Sequence, residues 1–321
     1  MNTHTIDPER MPLRQQLFVA GASCFAFTDS PAVIEALSRW RHPRSAQSGR
    51  FFDLCVSVDP SIKYHCDATP HFRGREHLVF ATFGERARFV LDLRKRSVAG
   101  VVSQQTAEDC RFWNHLLLPI ALGVLGTTMG LVPVHAACLD WNGKGLMIAG
   151  TSGAGKSTLA VALSQHGFSL ISDDWTYVAQ EDGGVIAYGI SAPVKLLPDA
   201  RTFFPELGRF RPAKSLNGET AFEVDAAGTF GSATRSQTQP RALVLLERTP
   251  RAGYEITPHS SEELKAFFEN SVERLPDFMA SWAVQRSATI RELAQKDCWL
   301  LRYGGPPQIA AHALRQLCEG M

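Results

Sequence analysis

The sequence predicts an α/β protein with a mixed-sheet core and a smaller α+β domain before it. A glycine-rich motif at 150–157 follows a strand pattern and opens a helix pattern. Hairpin patterns flank that unit on both sides, so the sheet is not wholly parallel. Short strand patterns fill residues 17–113, and a long apolar stretch begins just beyond them. We therefore expect an α+β domain at 1–112 and the main domain at 113–321.

The composition is that of a soluble globular protein. Hydrophobic residues make up 45% and charged residues 20% of the 321 residues, and the formal net charge is +1. A nucleic-acid partner is not expected, because the large positive excess of nucleic-acid binders is missing. The cysteines are odd in number and never spaced as C-x-x-C, which indicates reduced thiols rather than disulfides or zinc ligands. They are Cys24, Cys55, Cys66, Cys110, Cys138, Cys298 and Cys318.

Two segments bear on localisation. Residues 1–16 carry both charge signs and no apolar run, so we expect no secretory signal and a cytoplasmic protein. Residues 116–134 hold no charge and are long enough to be considered as a membrane span. That stretch contains Pro119, Pro133 and three glycines, and it leads directly into the strand before the glycine-rich motif. We therefore predict a buried helix, and no membrane partner.

The remaining elements follow from periodicity and turn residues. Gly167 stands where a glycine ends the helix that opens at the motif, and a capping box is predicted at Ser261 and Glu263. In the first domain the predicted strands are 17–27, 51–58, 77–83 and 87–93, with a helix at 31–40. In the second, the predicted elements are a hairpin over 135–150, a helix at 157–166, a strand at 168–172, a hairpin over 175–190, a strand at 242–248, a helix at 260–275, a strand at 298–303 and a helix at 307–317.

The glycine-rich motif predicts a phosphate-binding loop. It fits G-x-x-x-x-G-K-[ST] without a gap, between a strand and a helix. Glycines let the backbone N–H groups and the helix amino terminus surround phosphate, the lysine reaches the outer phosphates, and the hydroxyl after it takes a Mg²⁺ position. The predicted nucleotide-binding residues are Gly150, Thr151, Ser152, Gly153, Ala154, Gly155, Lys156, Ser157 and Thr158.

Two adjacent acids, Asp173 and Asp174, follow the strand that should lie beside this loop. One carboxylate can hold Mg²⁺ while the other accepts the proton of an attacking hydroxyl, which favours a kinase. The alternative is that the pair only ends a strand and caps a turn. His135 would lie near the opposite side of the same site, although a lone histidine beside an apolar stretch is commonly a core or turn residue.

Three segments together resemble the HPr kinase/phosphorylase family and its relatives, among them kinases that modify ribosomal peptides. They are VHAACLD at 134–140, GTSGAGKST at 150–158 and ISDDW at 171–175. The resemblance implies a nucleoside-binding core related to that of phosphoenolpyruvate carboxykinases. It also implies ATP and Mg²⁺ as cofactors, a protein or peptide substrate bearing a serine, and a homo-oligomer.

The resemblance also assigns roles by position. Lys156 and the loop would bind the triphosphate, Ser157 and Asp174 the metal, and Asp173 would activate the substrate serine. His135 matches the family's histidine before the strand, and Arg241 resembles an arginine near the transferring phosphate.

The sequence also departs from the family. The Glu-Ile-Arg-Gly signature is absent, and residues 189–199 read GISAPVKLLPD, where no motif assigns a role to Lys195 or Asp199. Phosphorolysis is therefore not predicted, and no motif of the first domain points to HPr as the acceptor.

Three hypotheses of function stay open on the sequence. The first is a serine kinase acting on a protein or peptide. The second is a small-metabolite kinase, but such chains usually continue into a helix and an arginine-bearing lid, where this chain has a hairpin pattern. The third is a non-catalytic nucleotide-binding regulator, which would be expected to have a broken loop or a missing acid. Neither is seen here, so the first hypothesis fits best.

Overall fold

The computed structural model of the chain divides into two compact units. The first comprises Met1–Leu131 and Pro276–Trp282, and the second Val132–Leu275 and Ala283–Met321. The structure describes residues 8–38, 49–63, 70–190, 193–215, 218–272, 274–275 and 277–321. Sequence predictions that involve residues 1–7, Arg39, Trp40, Cys66 and the pair 191–192 lie outside the described residues at those positions.

The first unit is built on a mixed sheet of seven strands. In chain order they are β1 (Leu13–Val19), β2 (Ala22–Thr28), β3 (Phe51–Val58), β4 (His71–Arg75), β5 (Leu78–Phe83), β6 (Ala87–Asp92) and β7 (Ser97–Val102). The order across the sheet is β1-β2-β3-β7-β6-β5-β4. The β2–β3 and β3–β7 pairs are parallel and the others antiparallel. The run predicted as one strand at 17–27 is a hairpin, because Ala20 and Gly21 both take positive φ and turn the chain.

The apolar stretch forms a bent helical run in the first unit. The run consists of α3 (Cys110–Phe112), a π-helical turn (Trp113–Leu117) and α4 (Leu118–Leu125), and the same unit also contains α1 (Pro31–Leu37) and α2 (Gln104–Glu108). The ring of Phe112 stacks on Phe89 of β6 and meets Phe83 of β5 edge-on. These contacts place the run with the first sheet, whereas the predicted boundary at 112/113 assigned most of it to the second domain.

The length and composition of Cys110–Met129 would allow a membrane span, with a mean hydropathy of 1.3. However, 67% of its most apolar window is buried inside the protein. The core helices of water-soluble proteins share these properties, so the run is weak evidence for a membrane segment. The buried-helix prediction agrees with this packing.

The second unit contains a nine-stranded mixed sheet and a smaller sheet. The strands are β8 (Val132–Trp141), β9 (Lys144–Ala149), β10 (Ser169–Ser172), β11 (Trp175–Glu181), β12 (Gly184–Tyr188), β13 (Val194–Leu196), β14 (Ala213–Lys214), β15 (Thr220–Val224), β16 (Gln237–Thr238), β17 (Pro240–Arg248), β18 (Gly253–Pro258) and β19 (Asp297–Gly304). The large sheet has the order β16-β12-β11-β8-β9-β17-β19-β18, with β10 also paired to β8, and the small one β13-β15-β14. Strands β9, β17 and β19 are parallel, while both predicted hairpins are antiparallel. The mixed α/β prediction is confirmed.

Helices cover both faces of the large sheet. They are α5 (Lys156–Ser164), α6 (Ala226–Phe230), α7 (Ser261–Asn270), α8 (Ala280–Leu293) and α9 (Pro307–Gly320). One apolar core joins α5 and α9 to the face carrying Val244 and Leu246, and a second joins α7 and the later part of α8 to the face carrying Leu243. Neither α8 nor the small sheet was predicted. The capping residue of α7 is Ser260, whose hydroxyl accepts the N–H of Glu263, so the prediction of Ser261 was wrong by one position.

Gly189→Ala is expected to lower the free energy of unfolding by roughly 2–4 kcal/mol, because overpacking against backbone forces strands apart. A Cβ at this position would lie 1.8 Å from the carbonyl oxygen of Ile171. Gly183→Ala is the matched control, since no atom lies within 4 Å of a Cβ there. Urea unfolding of both variants checks the prediction, and equal midpoints would contradict it.

Candidate functional site

The glycine-rich loop connects β9 to α5 in the predicted way. Gly155 takes φ +93° just before the helix begins at Lys156, and a Cβ there would lie 2.9 Å from the hydroxyl of Tyr303. A Cβ on Gly150 would lie 2.9 Å from the carbonyl oxygen of Leu246. Glycine is therefore required at both ends of the loop, at one by conformation and at both by close packing.

Lys156 folds back onto the loop that precedes it. Its Nζ donates hydrogen bonds to the carbonyl oxygens of Gly150 at 3.0 Å and Thr151 at 3.4 Å. Burial lowers the pKa of Lys156, and the negative charges of Asp174 and Asp173 oppose that shift. The ammonium group is thus held at the loop by weak neutral acceptors that an anionic oxygen can replace.

Asp173 lies directly after β10, on the wall of the site. Its Oδ2 accepts the backbone N–H of Lys195 at 3.2 Å, and its own carbonyl oxygen accepts the Ser157 hydroxyl at 3.3 Å. Burial raises the pKa of Asp173 to about 7, helped by the neighbouring charge of Asp174 and opposed by hydrogen bonds from Lys195 and Ser157. A carboxyl in this state can take up a proton near neutral pH.

Asp174 and His135 form a hydrogen-bonded pair. The Nε2–H of His135 donates to Oδ1 of Asp174 at 2.7 Å, and the imidazole stacks on Trp175 with ring centroids 5.2 Å apart. The two come together because β11 pairs with β8, with Trp175 opposite His135. Burial alone would raise the pKa of Asp174, but the hydrogen bond and charge of His135, with the charges of Lys156 and Lys195, lower it overall. Asp174 is therefore ionised at neutral pH, whereas Asp173 gains and loses its proton in that range.

These groups line one cavity of about 350 Å³. Most predicted site residues meet there, while Gly150, Thr151 and Ala154 belong to the loop without lining the cavity. The lining residues are His135, Ser152, Gly153, Gly155, Lys156, Ser157, Thr158, Asp173, Asp174, Lys195, Leu197, Asp199, Phe203, Glu219, Arg248, Tyr303 and Pro307. Its size suits a small-molecule ligand.

Arg241 is not brought to the cavity. Strand β17 runs parallel to β9, and Leu245 lies opposite Ala149, the last residue before the loop. Arg241 lies four residues earlier, about 13 Å back along the strand at the usual rise per residue. Parallel strands put their carboxyl ends at one edge, so the arginine at the far end of β17, Arg248, lines the cavity instead.

Sequence reasoning missed Arg248, Tyr303 and Glu219. The position of Arg248 at the end of a buried strand was an available signal, because ligands bind at the carboxyl edge of such sheets. Tyr303 also ends a predicted strand, whereas Glu219 carried no signal. Its carboxylate pairs with the Nζ of Lys195 at 2.5 Å.

The donor set fits Mg²⁺ only in part. Ser157 supplies a hydroxyl and Asp173 and Asp174 supply carboxylates, which are the hard oxygen ligands that Mg²⁺ prefers. Within the described ranges, no three His, Cys, Asp or Glu residues cluster so as to hold a metal by themselves. Mg²⁺ commonly takes one or two carboxylates and completes its shell with water and phosphate oxygens, so this set suits a metal that arrives with a nucleotide.

Asp173→Asn is expected to stabilise the protein above pH 7, because it removes a carboxyl whose ionisation the fold disfavours. The folded chain keeps a proton that the unfolded chain loses, so stability falls as pH rises from about 4 to about 7. The variant should gain roughly 1–4 kcal/mol at pH 8 and nothing near pH 3.5. Thermal unfolding at both pH values tests this, and an equal difference at the two would contradict the raised pKa.

Fold and site together define an α/β protein with a glycine-rich loop between a strand and a helix and a carboxylate pair beside it. Residues 130–194 match the family model described as HPr Serine kinase C-terminal domain. That segment holds the loop, both acids and His135. The predicted resemblance to HPr kinases is therefore confirmed over this part of the chain.

Two curated proteins described as HPr kinase/phosphorylase are similar to this chain over short stretches. An HPr kinase/phosphorylase from Geobacillus sp. (strain WCH70) is 43% identical over 53 residues, 16% of this chain and 17% of the relative. Another from Lactobacillus delbrueckii subsp. bulgaricus is 47% identical over 49 residues, 15% of this chain and 16% of the relative. The matches thus span about a sixth of each curated relative. The solved Hpr(Ser) kinase/phosphatase from Coxiella burnetii covers 59% of this chain and 92% of its own, with 14% identity and a TM-score of 0.31.

Proposed function

We propose that the protein is an ATP- and Mg²⁺-dependent kinase that transfers the γ-phosphoryl group to a serine hydroxyl of a protein or peptide. The observation that carries the proposal is the Asp173 carboxyl, whose pKa is raised to about 7 beside the loop that bears Lys156 and Ser157. A general base is most effective when its pKa lies near the working pH. The family match over 130–194 supports the same class of reaction.

The loop and the start of α5 would hold the phosphates. Backbone N–H groups at a helix amino terminus are unpaired within the helix and attract anions. Lys156 would exchange the carbonyl oxygens of Gly150 and Thr151 for phosphate oxygens, which form stronger, charge-assisted hydrogen bonds.

Asp173 would receive the proton of the attacking hydroxyl. As the serine oxygen bonds to the γ-phosphorus, the bond from that phosphorus to the bridging oxygen of ADP breaks, and the hydroxyl proton passes to the carboxylate. The N–H of Lys195, hydrogen-bonded to Oδ2, keeps the carboxyl oriented. Oδ1 would then be the oxygen that takes up the proton.

Ser157 and Asp174 would hold Mg²⁺, which neutralises charge on the phosphates when bound. The hydrogen bond from His135 fixes the orientation of the Asp174 carboxylate, as partners of metal-binding carboxylates commonly do. The two acids would thus have different roles, since Asp174 stays ionised and holds the metal while Asp173 exchanges a proton.

Labelled phosphate tests the proposal. The purified protein is incubated with Mg²⁺, γ-labelled ATP and a cell lysate or candidate peptides. Acid-stable label on a polypeptide serine is the expected result. Label confined to small molecules would favour a metabolite kinase. Bound ATP with no transfer to any acceptor would favour a nucleotide-binding regulator.

A further inference from the structure

The two ends of the cavity differ in chemistry. Asp173 follows β10, which pairs with β8 on one side of β9, whereas β17 and β19 lie on the other side. The acids therefore mark one side of the loop, and the ends of β17 and β19 mark the opposite side. On that opposite side the lining consists of Arg248, Tyr303 and Pro307.

The chain segment between β13 and Phe203 links the two ends. The N–H of Lys195 is hydrogen-bonded to Asp173, while the carbonyl oxygen of Phe203 accepts the side-chain amide of Gln308 at the start of α9, 3.4 Å away. Phe203 therefore belongs with the end that holds Pro307. A charged end and an aromatic, apolar end thus face each other across the loop.

The guanidinium of Arg248 lies over the ring of Tyr303 at the aromatic end. It lies opposite Tyr303 in the pairing of β17 with β19, and its guanidinium carbon is 4.4 Å from the centroid of the Tyr303 ring. A terminal nitrogen also donates to the carbonyl oxygen of Gly305 at 3.4 Å. Tyr303 itself is only 1% exposed, so the guanidinium covers a fixed ring.

The outer face of the guanidinium is left available to a ligand. Arg248 is exposed and lines the cavity, and among the described residues no carboxylate lies within ion-pair distance of it. A planar, weakly hydrated cation stacked on one side by an aromatic ring can stack on a second flat ring on its other side.

We propose that Arg248, positioned by Tyr303, is the stacking platform for the purine base of the bound nucleotide. The inference rests on the proposed function, because it takes the acids to mark the transferring phosphate. A nucleotide whose γ-phosphate lies beside Asp173 and whose β-phosphate lies on Lys156 carries its base toward the opposite side of the loop. There the flat guanidinium, Phe203 and Pro307 offer the aromatic and apolar surroundings that a base requires.

Calorimetry with two probes tests the assignment. ADP carries the base, while inorganic tripolyphosphate occupies only the phosphate loop. Arg248→Ala should weaken ADP binding about 5- to 100-fold, the range expected when a stacked base loses its partner. Tripolyphosphate affinity should stay the same. Arg248→Lys should not restore ADP binding, because an ammonium group has no planar face.

Arg302→Ala is the matched control. This neighbour of Tyr303 is about half exposed, pairs with Glu247 and Glu255 and does not line the cavity, so both affinities should stay at wild-type values.

Two results with the Arg248 variants would overturn the inference. A parallel loss of tripolyphosphate binding, restored by lysine, would make Arg248 a phosphate contact, and unchanged ADP binding in Arg248→Ala would leave it without a ligand role. Failure of the proposed function is recognised separately. A wild-type protein that binds ADP but transfers no phosphoryl group would contradict the proposed kinase activity, while the assignment of Arg248 to the purine base would still hold. A wild-type protein that binds neither ADP nor tripolyphosphate would overturn both proposals.

Discussion

Asp173→Asn is expected to lower phosphoryl transfer by about 10²–10⁴-fold, the usual contribution of a general base. An amide cannot take up the hydroxyl proton, yet it keeps the shape of the carboxyl and can still accept the N–H of Lys195. ADP affinity should therefore change by less than about threefold. The measurement is kcat/KM with labelled ATP, together with calorimetry of ADP binding.

The pH profile separates a base from a merely structural acid. In the wild-type protein kcat/KM should rise about tenfold per pH unit below pH 7 and level off above it, because the free protein's base must be ionised. The residual activity of Asp173→Asn should lose this rise. Asp182→Asn, in the turn between β11 and β12, should behave as wild type. A wild-type rate that did not follow pH would refute Asp173 as the base.

Lys156→Met is expected to lower phosphoryl transfer by at least about 10²–10³-fold, the cost of removing one donor that stabilises transition-state charge. Methionine preserves much of the volume of this buried side chain but removes its charge. The affinities for ATP and for tripolyphosphate should fall together, because the ammonium group contacts the phosphates and not the purine base. Labelled transfer and calorimetry measure the two effects.

Lys144→Met is the matched control for that experiment. Lys144 begins β9, whereas the glycine-rich loop follows its last residue, so the control alters a lysine of the same strand at the end away from the cavity. Its transfer rate and tripolyphosphate affinity should match the wild type. Equal losses in both variants, or none in either, would remove the reason to assign Lys156 to the phosphates.

Local patterns predicted the part of the fold around the loop. The Asn142-Gly143 turn, with positive φ at both residues, and the strand–loop–helix order around Gly155 depend on neighbours in sequence. Turn chemistry and periodicity act over a few residues, so a single sequence carries them. The missed α8 and small sheet have weaker local signals, and packing against the large sheet decides them.

Several predictions stay predictions. Cytoplasmic localisation, the homo-oligomer, and the absence of nucleic-acid and membrane partners rest on the sequence. Phosphorolysis remains unpredicted because the Glu-Ile-Arg-Gly signature is absent from 189–199. The six cysteines in the described ranges are free, and their reduced state stays a prediction.

The sequence alone determined the loop, the paired acids and the mixed α/β class, because each depends on residue types at short spacing. Tertiary structure decided which arginine lines the cavity, since only the parallel pairing of β17 with β9 shows that Arg248 and not Arg241 lies at the loop's edge of the sheet. Tertiary structure also decided that the pKa values of Asp173 and Asp174 shift in opposite directions. Burial disfavours the charge of one carboxyl, whereas a histidine from another strand stabilises the charge of the other.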